Sequence, residues 1–326
     1  MSLQQRILSG ARSNRPKLHL GNYEGALRNW VKLQENFKVF AMVADWHGLT
    51  TEFMNPKETG RNSREVAKDM IAAGIDPERS VVFIQSHVKE HAELHLLLSM
   101  ATPLGWLERV PTYKEKQKDL GGAEREPYGL LGYPVLQSAD ILMYKPYGVP
   151  VGKDQAPHLE ISREIGRRFN HLYGHVFPEF VNLIGDVPVL PGTDMRKMSK
   201  SYDNCIYINE SPDETAKKIK NAFTTPTKIK KTDPGIPEGC AVCQYLKVYS
   251  PNWEQQWNED REGLRGCSQN KNECVEVINE LLRPMRERRA RLDDATIEDI
   301  LTRGAAEARQ VAQQTMQEVR EAMGIW

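Results

Sequence analysis

The chain has 326 residues, and its 44 lysines and arginines are balanced by 44 aspartates and glutamates, so the formal net charge is zero. This length has room for one large domain and one smaller one. Zero net charge excludes binding of nucleic acid through an overall positive charge, so any RNA contact must come from local basic patches. No apolar run approaches the ~18 residues of a membrane span, and residues 1–12 lack the apolar core of a signal peptide. We therefore expect a cytoplasmic protein with no membrane partner.

The first half of the chain alternates strand patterns with helix patterns. The strands are short and nearly continuous in apolar residues, which is typical of strands buried on both faces of a parallel sheet. The predicted elements are a strand at Arg6–Gly10, a strand at Phe37–Asp45, a helix from about Ser63 to Gly74, a strand at Ser80–Gln85 and a helix at Glu90–Met100. This order predicts βαβ units and an α/β fold.

Two of these strands end in residues that suit a binding site. The first carries Leu8 and Gly10 towards its carboxyl end, and Asp45, Trp46 and His47 stand at the carboxyl end of the second. Open α/β sheets bind ligands at the carboxyl ends of their strands. We therefore expect the functional site at this edge of the sheet.

A charged stretch at 103–132 interrupts the pattern and is predicted to be an insertion that joins the two halves of the sheet. Tyr133 then opens a predicted helix in which Gln137 and Asp140 share its face, because spacings of four and three residues place side chains side by side. The neighbouring residues are apolar, so a buried polar cluster is favoured over a solvent-facing stripe. Buried polar groups need partners, and a ligand is one such partner.

A short predicted strand at Val149–Val151 leads directly into Gly152-Lys153-Asp154-Gln155. Gly152 permits a ligand to approach the backbone closely, Asp154 can accept hydrogen bonds from a ribose, and Gln155 can both donate and accept. A helix follows, and its predicted apolar face consists of Ile161, Ile165, Phe169 and Leu172.

The loop Lys197-Met198-Ser199-Lys200-Ser201 carries two ammonium groups and two hydroxyls. Two lysines three residues apart suit the neutralisation of charge that develops on a transferring phosphoryl group. Far upstream, His19-Leu20-Gly21-Asn22 precedes an apolar helix pattern at Tyr23–Val31. A glycine there lets a nucleotide lie against a helix N-terminus, where the dipole and the unpaired N–H groups favour anions. The two segments are therefore predicted to be partners.

Beyond this loop the sequence changes to helices with long polar faces. Clusters of cations on these helices and the loops between them are candidate contacts for RNA phosphates. They are Lys217, Lys218 and Lys220, then Lys228, Lys230 and Lys231, and finally Arg283, Arg286, Arg288, Arg289 and Arg291. The final helix is predicted to pack Ala312, Met316, Val319 and Met323 inward.

The pairing of His19–Asn22 with Lys197–Ser201 resembles the two signature motifs of class I aminoacyl-tRNA synthetases, which activate an amino acid with ATP and load it onto tRNA. Further segments, in the same order, resemble the bacterial members of this family that are specific for tryptophan. These segments are Gln85–Val88 with Glu90–Leu94, Leu107–Arg109, Tyr133–Gln137 with Asp140 and Ile141, and Val149–Gln155. The resemblance covers essentially the whole chain.

The resemblance implies an α/β fold with two domains. A Rossmann-type parallel-sheet catalytic domain would span 1–205, and an all-helical anticodon-binding domain would span 206–326, its last helices packing back on the catalytic domain. The family also implies a cytoplasmic homodimer whose substrates are L-tryptophan, ATP with Mg²⁺ and tRNA(Trp). Tryptophan would first be converted to its adenylate with release of pyrophosphate, and then be transferred to the tRNA.

The resemblance implies roles for individual residues as well. Lys197, Lys200 and His19 would be catalytic, and Asp140 would accept the indole N–H of tryptophan. The implied ATP-binding residues are Arg12, Ser13, His19, Gly21, Asn22, Gly152, Lys153, Asp154, Lys197, Met198, Ser199, Lys200 and Ser201. The implied tryptophan-binding residues are Leu8, Gly10, His47, Tyr133, Gln137, Asp140, Val149, Val151 and Gln155.

The chain departs from the family pattern in two places. The run from Arg12 to Lys17 is one residue longer than usual and lacks a glycine, and Lys153 stands where an acidic residue is frequent. The Tyr133-x3-Gln137-x2-Asp140 pattern also occurs in the sister enzymes specific for tyrosine, so tyrosine is the alternative substrate. A regulator that binds tryptophan or a nucleotide without charging tRNA is a further alternative.

The five cysteines are confined to 205–274, and their odd number argues against a secreted disulfide framework. A branch of the family carries a four-iron four-sulfur cluster in the C-terminal domain. Cys240 and Cys267 can be placed on its spacing, whereas Cys243 and Cys274 do not fit it. These four cysteines are candidate ligands for an iron-sulfur cluster or zinc.

Overall fold

The computed structural model describes residues 5–110, 113, 127–152, 156–185 and 190–325, with only the backbone described for Ala156, Pro157 and Ser201. Within these residues, five strands form one parallel sheet in the order β3-β2-β1-β4-β5. The strands are β1 Arg6–Arg12, β2 Lys38–Ala44, β3 Val81–Ile84, β4 Gly148–Val151 and β5 Val181–Ile184.

The central strand β1 lies between β2 and β4, and the chain reverses its direction of winding at this point. The register places Leu8 beside Phe40 and Gly10 beside Met42. In such sheets the crevice at the carboxyl ends of the two strands that flank the reversal is where ligands bind. The predicted Rossmann-type parallel sheet is therefore confirmed, and its switch point lies between β1 and β4.

Helices pack on both faces of the sheet, because alternate residues of β1 and β2 enter two separate hydrophobic cores. Ile7, Val39 and Ala41 belong to one core, and Leu8 and Phe40 belong to the other. The helices are α1 Leu20–Asn22, a π-helical segment Tyr23–Leu27, α2 Arg28–Leu33, α3 Asp45–Glu52, α4 Thr59–Ala73, α5 Glu90–Ala101, α6 Leu104–Leu107, α7 Tyr128–Met143, α8 Ala156–Tyr173, α9 Pro212–Asn221, α10 Ala241–Tyr249, α11 Trp253–Arg261, α12 Cys267–Ala290 and α13 Asp294–Met323.

Several predicted boundaries were wrong: β2 spans Lys38–Ala44 rather than Phe37–Asp45, α4 begins at Thr59 rather than about Ser63, and β3 spans Val81–Ile84 rather than Ser80–Gln85. Strand β1 continues two residues beyond Gly10, to Arg12, because it pairs with β2 along its whole length. Helix α7 begins at Tyr128 rather than Tyr133. Its first turns fall within the charged stretch at 103–132 that was predicted to be an insertion, but Gly132 is buried and a Cβ on it would lie 3.1 Å from the Tyr128 ring, so the small residue serves close packing.

The last helix, α13, packs against the catalytic sheet at β3. A Cβ on Gly304 would lie 1.9 Å from the carbonyl oxygen of Val82, so only glycine permits this approach. Ala312, Met316 and Val319 are fully buried as predicted, whereas Met323 is half-buried. The predicted apolar face of α8 is buried except at Leu172, which is 47% exposed. In the described part of the chain, no helix is long and apolar enough to cross a membrane.

Candidate active site

The two predicted signature segments meet at the edge of the sheet. The chain around His19 pairs with the chain that follows the lysine loop: the Leu20 N–H donates to the carbonyl of Ile206 at 2.9 Å, and the Ile208 N–H donates to the carbonyl of Leu18 at 3.0 Å. The lysine loop itself then reaches helix α1, where the Gly21 N–H donates to the Sδ atom of Met198 at 3.3 Å.

His19 caps the N-terminus of α1. Its Nδ1 accepts the Asn22 N–H at 3.2 Å, while the Asn22 side-chain oxygen accepts the His19 N–H at 3.1 Å. Burial, together with the nearby charge of Lys200, lowers the pKa of His19 to about 4. The ring is therefore neutral at physiological pH, and because Nδ1 is an acceptor, the proton lies on Nε2. His19 thus offers an Nε2–H donor to an anion at a helix N-terminus.

The two lysines of the loop have different environments. The Lys197 side chain is exposed, whereas Lys200 is half-buried and its Nζ donates to the carbonyl of Arg15 at 3.2 Å. Burial lowers the pKa of Lys200 to about 8, although the carboxylate of Asp69 acts in the opposite direction. A phosphate group brought beside Lys200 would favour its charged form. The site therefore holds a cation that an anionic ligand stabilises.

Asn204, which was not a predicted site residue, fixes the shape of the lysine loop. This residue is 2% exposed. Its Oδ1 accepts the Ser199 N–H at 2.8 Å, and its Nδ2 donates to the Asp194 carboxylate at 2.7 Å and to the Lys197 carbonyl at 3.1 Å. A single amide side chain thus joins both sides of the loop. Asparagine four residues after the second lysine was the only signal in the sequence.

Asp69 on α4 holds the segment that leads into His19. It is fully buried, its Oδ2 accepts the Leu18 N–H at 2.8 Å, and the Nε of Arg289 lies 3.1 Å from its Oδ1. Burial raises the pKa of Asp69 to about 6, with Arg289 acting in the opposite direction. Helix α12 of the C-terminal region therefore contributes directly to the position of His19.

The structure also gives protein partners to most of the arginine run, whose predicted contact with RNA phosphates stays a prediction. Arg288 donates to the carbonyl of Ala72, and Arg289 pairs with Glu65 as well as Asp69. Arg286 donates to the carbonyl of Glu210 and to the side chains of Thr215 and Asn279, and Arg283 pairs with Glu280 and Glu287. Four of the five arginines thus bind groups of the protein itself. A charge pattern in a sequence cannot distinguish such pairing from exposure.

Asp140 is the centre of a buried hydrogen-bond network. Its Oδ1 lies 2.6 Å from Nδ1 of His91 and 2.8 Å from Nε2 of Gln85, and its Oδ2 lies 2.9 Å from both Nε2 of His47 and Nε2 of Gln85. Burial alone would raise the pKa of Asp140, but the hydrogen bonds from His47 and His91 lower it to about 2. Asp140 is therefore ionised and accepts from all three side chains.

The ionised carboxylate determines both histidine tautomers. Because Asp140 can only accept, His91 must donate through Nδ1, and its Nε2 then accepts the hydroxyl of Tyr144 at 2.7 Å. His47 must likewise donate through Nε2, which leaves its Nδ1 as an acceptor. The predicted cluster was Tyr133, Gln137 and Asp140, whereas the hydrogen-bond partners of Asp140 in the structure are His47, Gln85 and His91, and Tyr144 extends the network. Tyr144 lies one helical turn after Asp140, which is a signal that the spacing contained.

The other predicted tryptophan-binding residues lie on the strands and helix around this network. Leu8, Tyr133 and Val149 are buried, Val151 and Gln137 are half-buried, and Gly10 is exposed on β1. Tyr133 lies with its ring centroid 6.0 Å from that of His158. Gln155 lies outside the described residues.

A cavity of about 250 Å³ lies between α3, α5 and α7. Of the predicted tryptophan-binding residues that the structure describes, Tyr133 lines it. Its other lining residues are mainly apolar and include Trp46, Phe53, Tyr128 and Leu136.

The remaining predicted ATP-binding residues are distributed as follows. Arg12 is the last residue of β1. Its side chain is exposed, and its guanidinium lies close enough to Tyr133 for an electrostatic interaction. Ser13 is fully buried and accepts a hydrogen bond from Ser63 at 3.0 Å, so its hydroxyl faces the interior. Gly152 directly follows β4. Lys153 and Asp154, like the side chain of Ser201, lie outside what the structure describes.

The four candidate cysteine ligands all lie on described residues of the C-terminal region. Nowhere in the described ranges are three His, Cys, Asp or Glu side chains placed so that they could hold a metal ion. Cys240 caps α10 and accepts the Cys243 N–H, while Cys274 is fully buried in the core and its pKa is raised by that burial. Burial keeps the Cys274 thiol protonated in the metal-free chain, where it packs in the core. Cys267, at the start of α12, is half-buried.

The chain belongs to the class I tRNA synthetase family for tryptophan and tyrosine, whose model matches residues 4–283. Its relatives within this family include tryptophan–tRNA ligases. Tryptophan–tRNA ligase from Thermotoga maritima is 45% identical, over 98% of this chain and 99% of that protein, and the one from Aquifex aeolicus is 43% identical, over 98% and 100%.

A solved structure extends the comparison to three dimensions. Tryptophanyl-tRNA synthetase from Campylobacter jejuni, complexed with ADP and tryptophan, superposes with a TM-score of 0.87 at 35% identity, covering 98% of this chain and 100% of that one. A tyrosyl-tRNA synthetase from Archaeoglobus fulgidus, at 21% identity and a TM-score of 0.67, shares the fold.

Proposed function

We propose that this chain is a tryptophan–tRNA ligase, which activates L-tryptophan with ATP and transfers it to tRNA(Trp). The observation that carries the proposal is the contact between helix α1 and the lysine loop, through Gly21 and Met198. One segment offers donors at a helix N-terminus, and the other offers two ammonium groups. The relatives described above perform this reaction.

In the first step the carboxylate oxygen of tryptophan attacks the α-phosphorus of ATP. A new P–O bond forms, the bond to the bridging oxygen breaks, and its electron pair leaves with pyrophosphate. His19, through Nε2–H, and the ammonium groups of Lys197 and Lys200 neutralise the negative charge that moves onto the pyrophosphate. Mg²⁺ enters as the counter-ion of the ATP substrate. The chain's own contribution is positioning and electrostatic stabilisation, without a covalent intermediate on the protein.

Specificity for tryptophan rests on Asp140. Indole is a donor-only heteroaromatic ring, and an ionised carboxylate is an acceptor-only partner. Both carboxylate oxygens already have protein donors, but one Gln85 nitrogen contacts both of them, at 2.8 and 2.9 Å. A small rotation of Gln85 onto one oxygen leaves the other free to accept the indole N–H, while both histidines keep their hydrogen bonds. Leu8, Gly10, Val149 and Val151 would then flank the ring.

In the second step the aminoacyl group passes from the adenylate to a hydroxyl of the terminal adenosine of the tRNA, with release of AMP. The helical region beyond residue 205 would bind the RNA, and the protein would act in the cytoplasm. Arg289, by way of Asp69, links this region to His19.

The protein would act as a homodimer through the exposed apolar side chains of α5, α6 and the start of α7. Leu96, Met100, Leu104 and Tyr128 are 53–70% exposed, and the helices that carry them contact one another. A double substitution, Met100→Glu with Leu104→Glu, is expected to give a monomer by light scattering coupled to gel filtration. Leu172→Glu, at an exposed leucine on α8, is the matched control and is expected to remain a dimer.

The test of the function is the formation of tryptophanyl-tRNA from radiolabelled tryptophan and a tRNA(Trp) transcript. Charging is expected with the wild-type chain and is expected to be lost in Lys200→Ala, while Lys32→Ala, at an exposed lysine on α2, should keep wild-type activity. Charging with tyrosine instead would assign the chain to the sister enzymes. Binding of tryptophan without charging would favour the regulatory alternative.

A further inference from the structure

Helix α3 contacts residues of both predicted substrate sites. It begins at Asp45, directly after strand β2, and its third and fourth residues, His47 and Gly48, are buried. His47 bonds to Asp140, the predicted acceptor of the indole N–H. Gly48 contacts the segment Arg12–Lys17, which contains two of the predicted ATP-binding residues. One short helix thus connects the tryptophan site to the ATP site.

At the tryptophan site, α3 has two connections to Asp140. One is the His47 side chain, at 2.9 Å. The other is the Gln85 amide, whose Nε2 donates to both Asp140 oxygens while its Oε1 accepts the Trp46 N–H in the first turn of α3, at 3.2 Å. The same N–H also lies 3.0 Å from the Asp45 carboxylate, so it keeps a partner when Gln85 moves. The rotation of Gln85 that frees an oxygen for the indole N–H therefore changes a hydrogen bond of α3.

On the ATP side, Gly48 packs directly against the backbone of Arg12–Lys17. A Cβ on Gly48 would lie 3.3 Å from the backbone nitrogen of Asn14 and 3.6 Å from the Ser13 hydroxyl. Any side chain here would therefore push the segment away from α3, and glycine permits the approach. Because close-packed groups transmit strain to one another, a shift of α3 displaces this segment.

The segment Arg12–Lys17 also contacts the lysine loop. The carbonyl of Arg15 accepts a hydrogen bond from Nζ of Lys200 at 3.2 Å. On its other side, the Ser13 hydroxyl is held by Ser63 of α4. A displacement that begins at the tryptophan site therefore reaches a segment bonded to a proposed catalytic lysine.

We propose that α3 couples the binding of tryptophan to the binding of ATP, with Gly48 as the positioning residue that makes the contact with Arg12–Lys17. Tryptophan favours one arrangement of α3 and this segment, and ATP binds that arrangement more tightly. Coupling of binding free energies is reciprocal, so ATP must strengthen tryptophan binding by the same factor. The inference rests on the proposed function, because both ligands must bind this chain.

The test is a thermodynamic cycle, in which titration calorimetry gives the Kd for tryptophan with and without Mg²⁺ and α,β-methylene ATP. The reaction cannot cleave the α–β linkage of this analogue, so only binding is measured. We expect the analogue to lower the Kd of the wild-type chain about 10-fold. In Gly48→Ala the methyl group holds the segment away from α3, so this factor should fall below about 3-fold, while the Kd for tryptophan alone stays unchanged.

Gly60→Ala is the matched control. Gly60 is an exposed glycine on the neighbouring helix α4, and a Cβ there meets only the end of the Arg64 side chain, at 3.6 Å. The substitution adds the same methyl group to a helix, so it reproduces any general effect of replacing a helical glycine by alanine. Its coupling factor should equal that of the wild-type chain.

A second variant tests the other end of α3. Gln85→Leu removes the amide that joins Asp140 to the Trp46 N–H, so it should lower the coupling factor as well. Because both substitutions interrupt the same route, the double variant with Gly48→Ala should have the coupling factor of Gly48→Ala alone.

Two results would overturn the inference. One is a wild-type Kd for tryptophan that the analogue does not change. The other is a Gly48→Ala chain that loses ATP affinity equally with and without tryptophan, because Gly48 would then only support the ATP segment. Failure of the wild-type chain to bind tryptophan at all would instead contradict the proposed function.

Discussion

The N–H of Gly21 donates to the Sδ atom of Met198, which lies 177 residues further along the chain, at 3.3 Å. This contact joins the N-terminus of α1 to the centre of the lysine loop. Gly21, the one residue of the His19–Asn22 segment that has no side chain, therefore lies against the loop that carries both lysines. We propose that these two segments together form the phosphate site, which neither segment could form alone.

The first prediction concerns this contact. A Cβ on Gly21 would lie 3.0 Å from Nδ1 of His19 and 3.4 Å from Sδ of Met198, so Gly21→Ala must displace one of them. We expect the KM for ATP to rise about 10-fold, because the capping geometry of His19 and the loop position both change. Gly25→Ala is the matched control, since a Cβ there has no atom within 4 Å, and it should leave the KM unchanged.

The second prediction concerns Asn204. Asn204→Asp keeps the size of the side chain but cannot donate to the Lys197 carbonyl and places a second negative charge beside Asp194. Asn204→Ala removes all three hydrogen bonds. Pre-steady-state measurement of adenylate formation should show a rate about 10- to 100-fold lower in both variants, with the affinity for tryptophan unchanged. Asn221→Asp, at an exposed position, should behave as wild type.

An equal loss of tryptophan affinity and rate in the Asn204 variants would mean that the residue supports the fold in general. In that case the assignment of Asn204 as a positioning residue for the lysine loop would be wrong.

The third prediction is a pH dependence. The pKa of Lys200 is lowered to about 8 in the free protein, so kcat/KM for ATP should fall as the pH rises through about 8 and the ammonium loses its proton. Bound triphosphate stabilises the charged form, so kcat itself should fall only at higher pH. Lys200→Arg, whose guanidinium stays protonated, should remove this alkaline decrease from kcat/KM. An unchanged alkaline decrease in that variant would exclude Lys200 as the titrating group.

The fourth prediction concerns the stability of the Asp140 network. The pKa of Asp140 in the folded protein is about 2, below its ordinary value of 3.8. The stabilisation of the folded protein by the Asp140 carboxylate is therefore fully present above pH 3.8 and is lost as the pH falls through about 2. Tyr144→Phe leaves Nε2 of His91 buried without its donor, which should cost about 1–3 kcal/mol of unfolding free energy in urea denaturation.

Tyr144→Phe should also raise the KM for tryptophan, because His91 loses the bond that fixes its tautomer toward Asp140. Tyr147→Phe, at a tyrosine that is 44% exposed, is the matched control. A variant that is destabilised but binds tryptophan normally would show that the Tyr144–His91 pair has only a structural role.

The sequence was most informative where the chemistry follows from a few adjacent residues. The buried strand Lys38–Ala44, the helix start at His19 and the lysine loop were all predicted, because apolar runs, capping residues and paired cations leave local patterns. The contact between the helix start at His19 and the lysine loop was predicted from their complementary chemistry.

Residues that act through distant contacts left weaker signals. Gln85 and His91 reach Asp140 from a strand end and a separate helix, so no spacing in the sequence relates them to it. Arg289 belongs to a run of cations that is typical of an RNA surface, yet its partner Asp69 lies on a helix of the catalytic region. Pairing of charges over such separations depends on the packed structure.

The measurement that tests the central claim most directly is amino-acid-dependent exchange of pyrophosphate into ATP, with tryptophan and tyrosine compared on the wild-type chain and on Asp140→Ala. The account predicts exchange with tryptophan that is at least 100-fold more efficient than with tyrosine, and a loss of the tryptophan reaction in Asp140→Ala. Exchange that prefers tyrosine, or tryptophan exchange that survives the loss of Asp140, would contradict the assignment of this site to tryptophan activation.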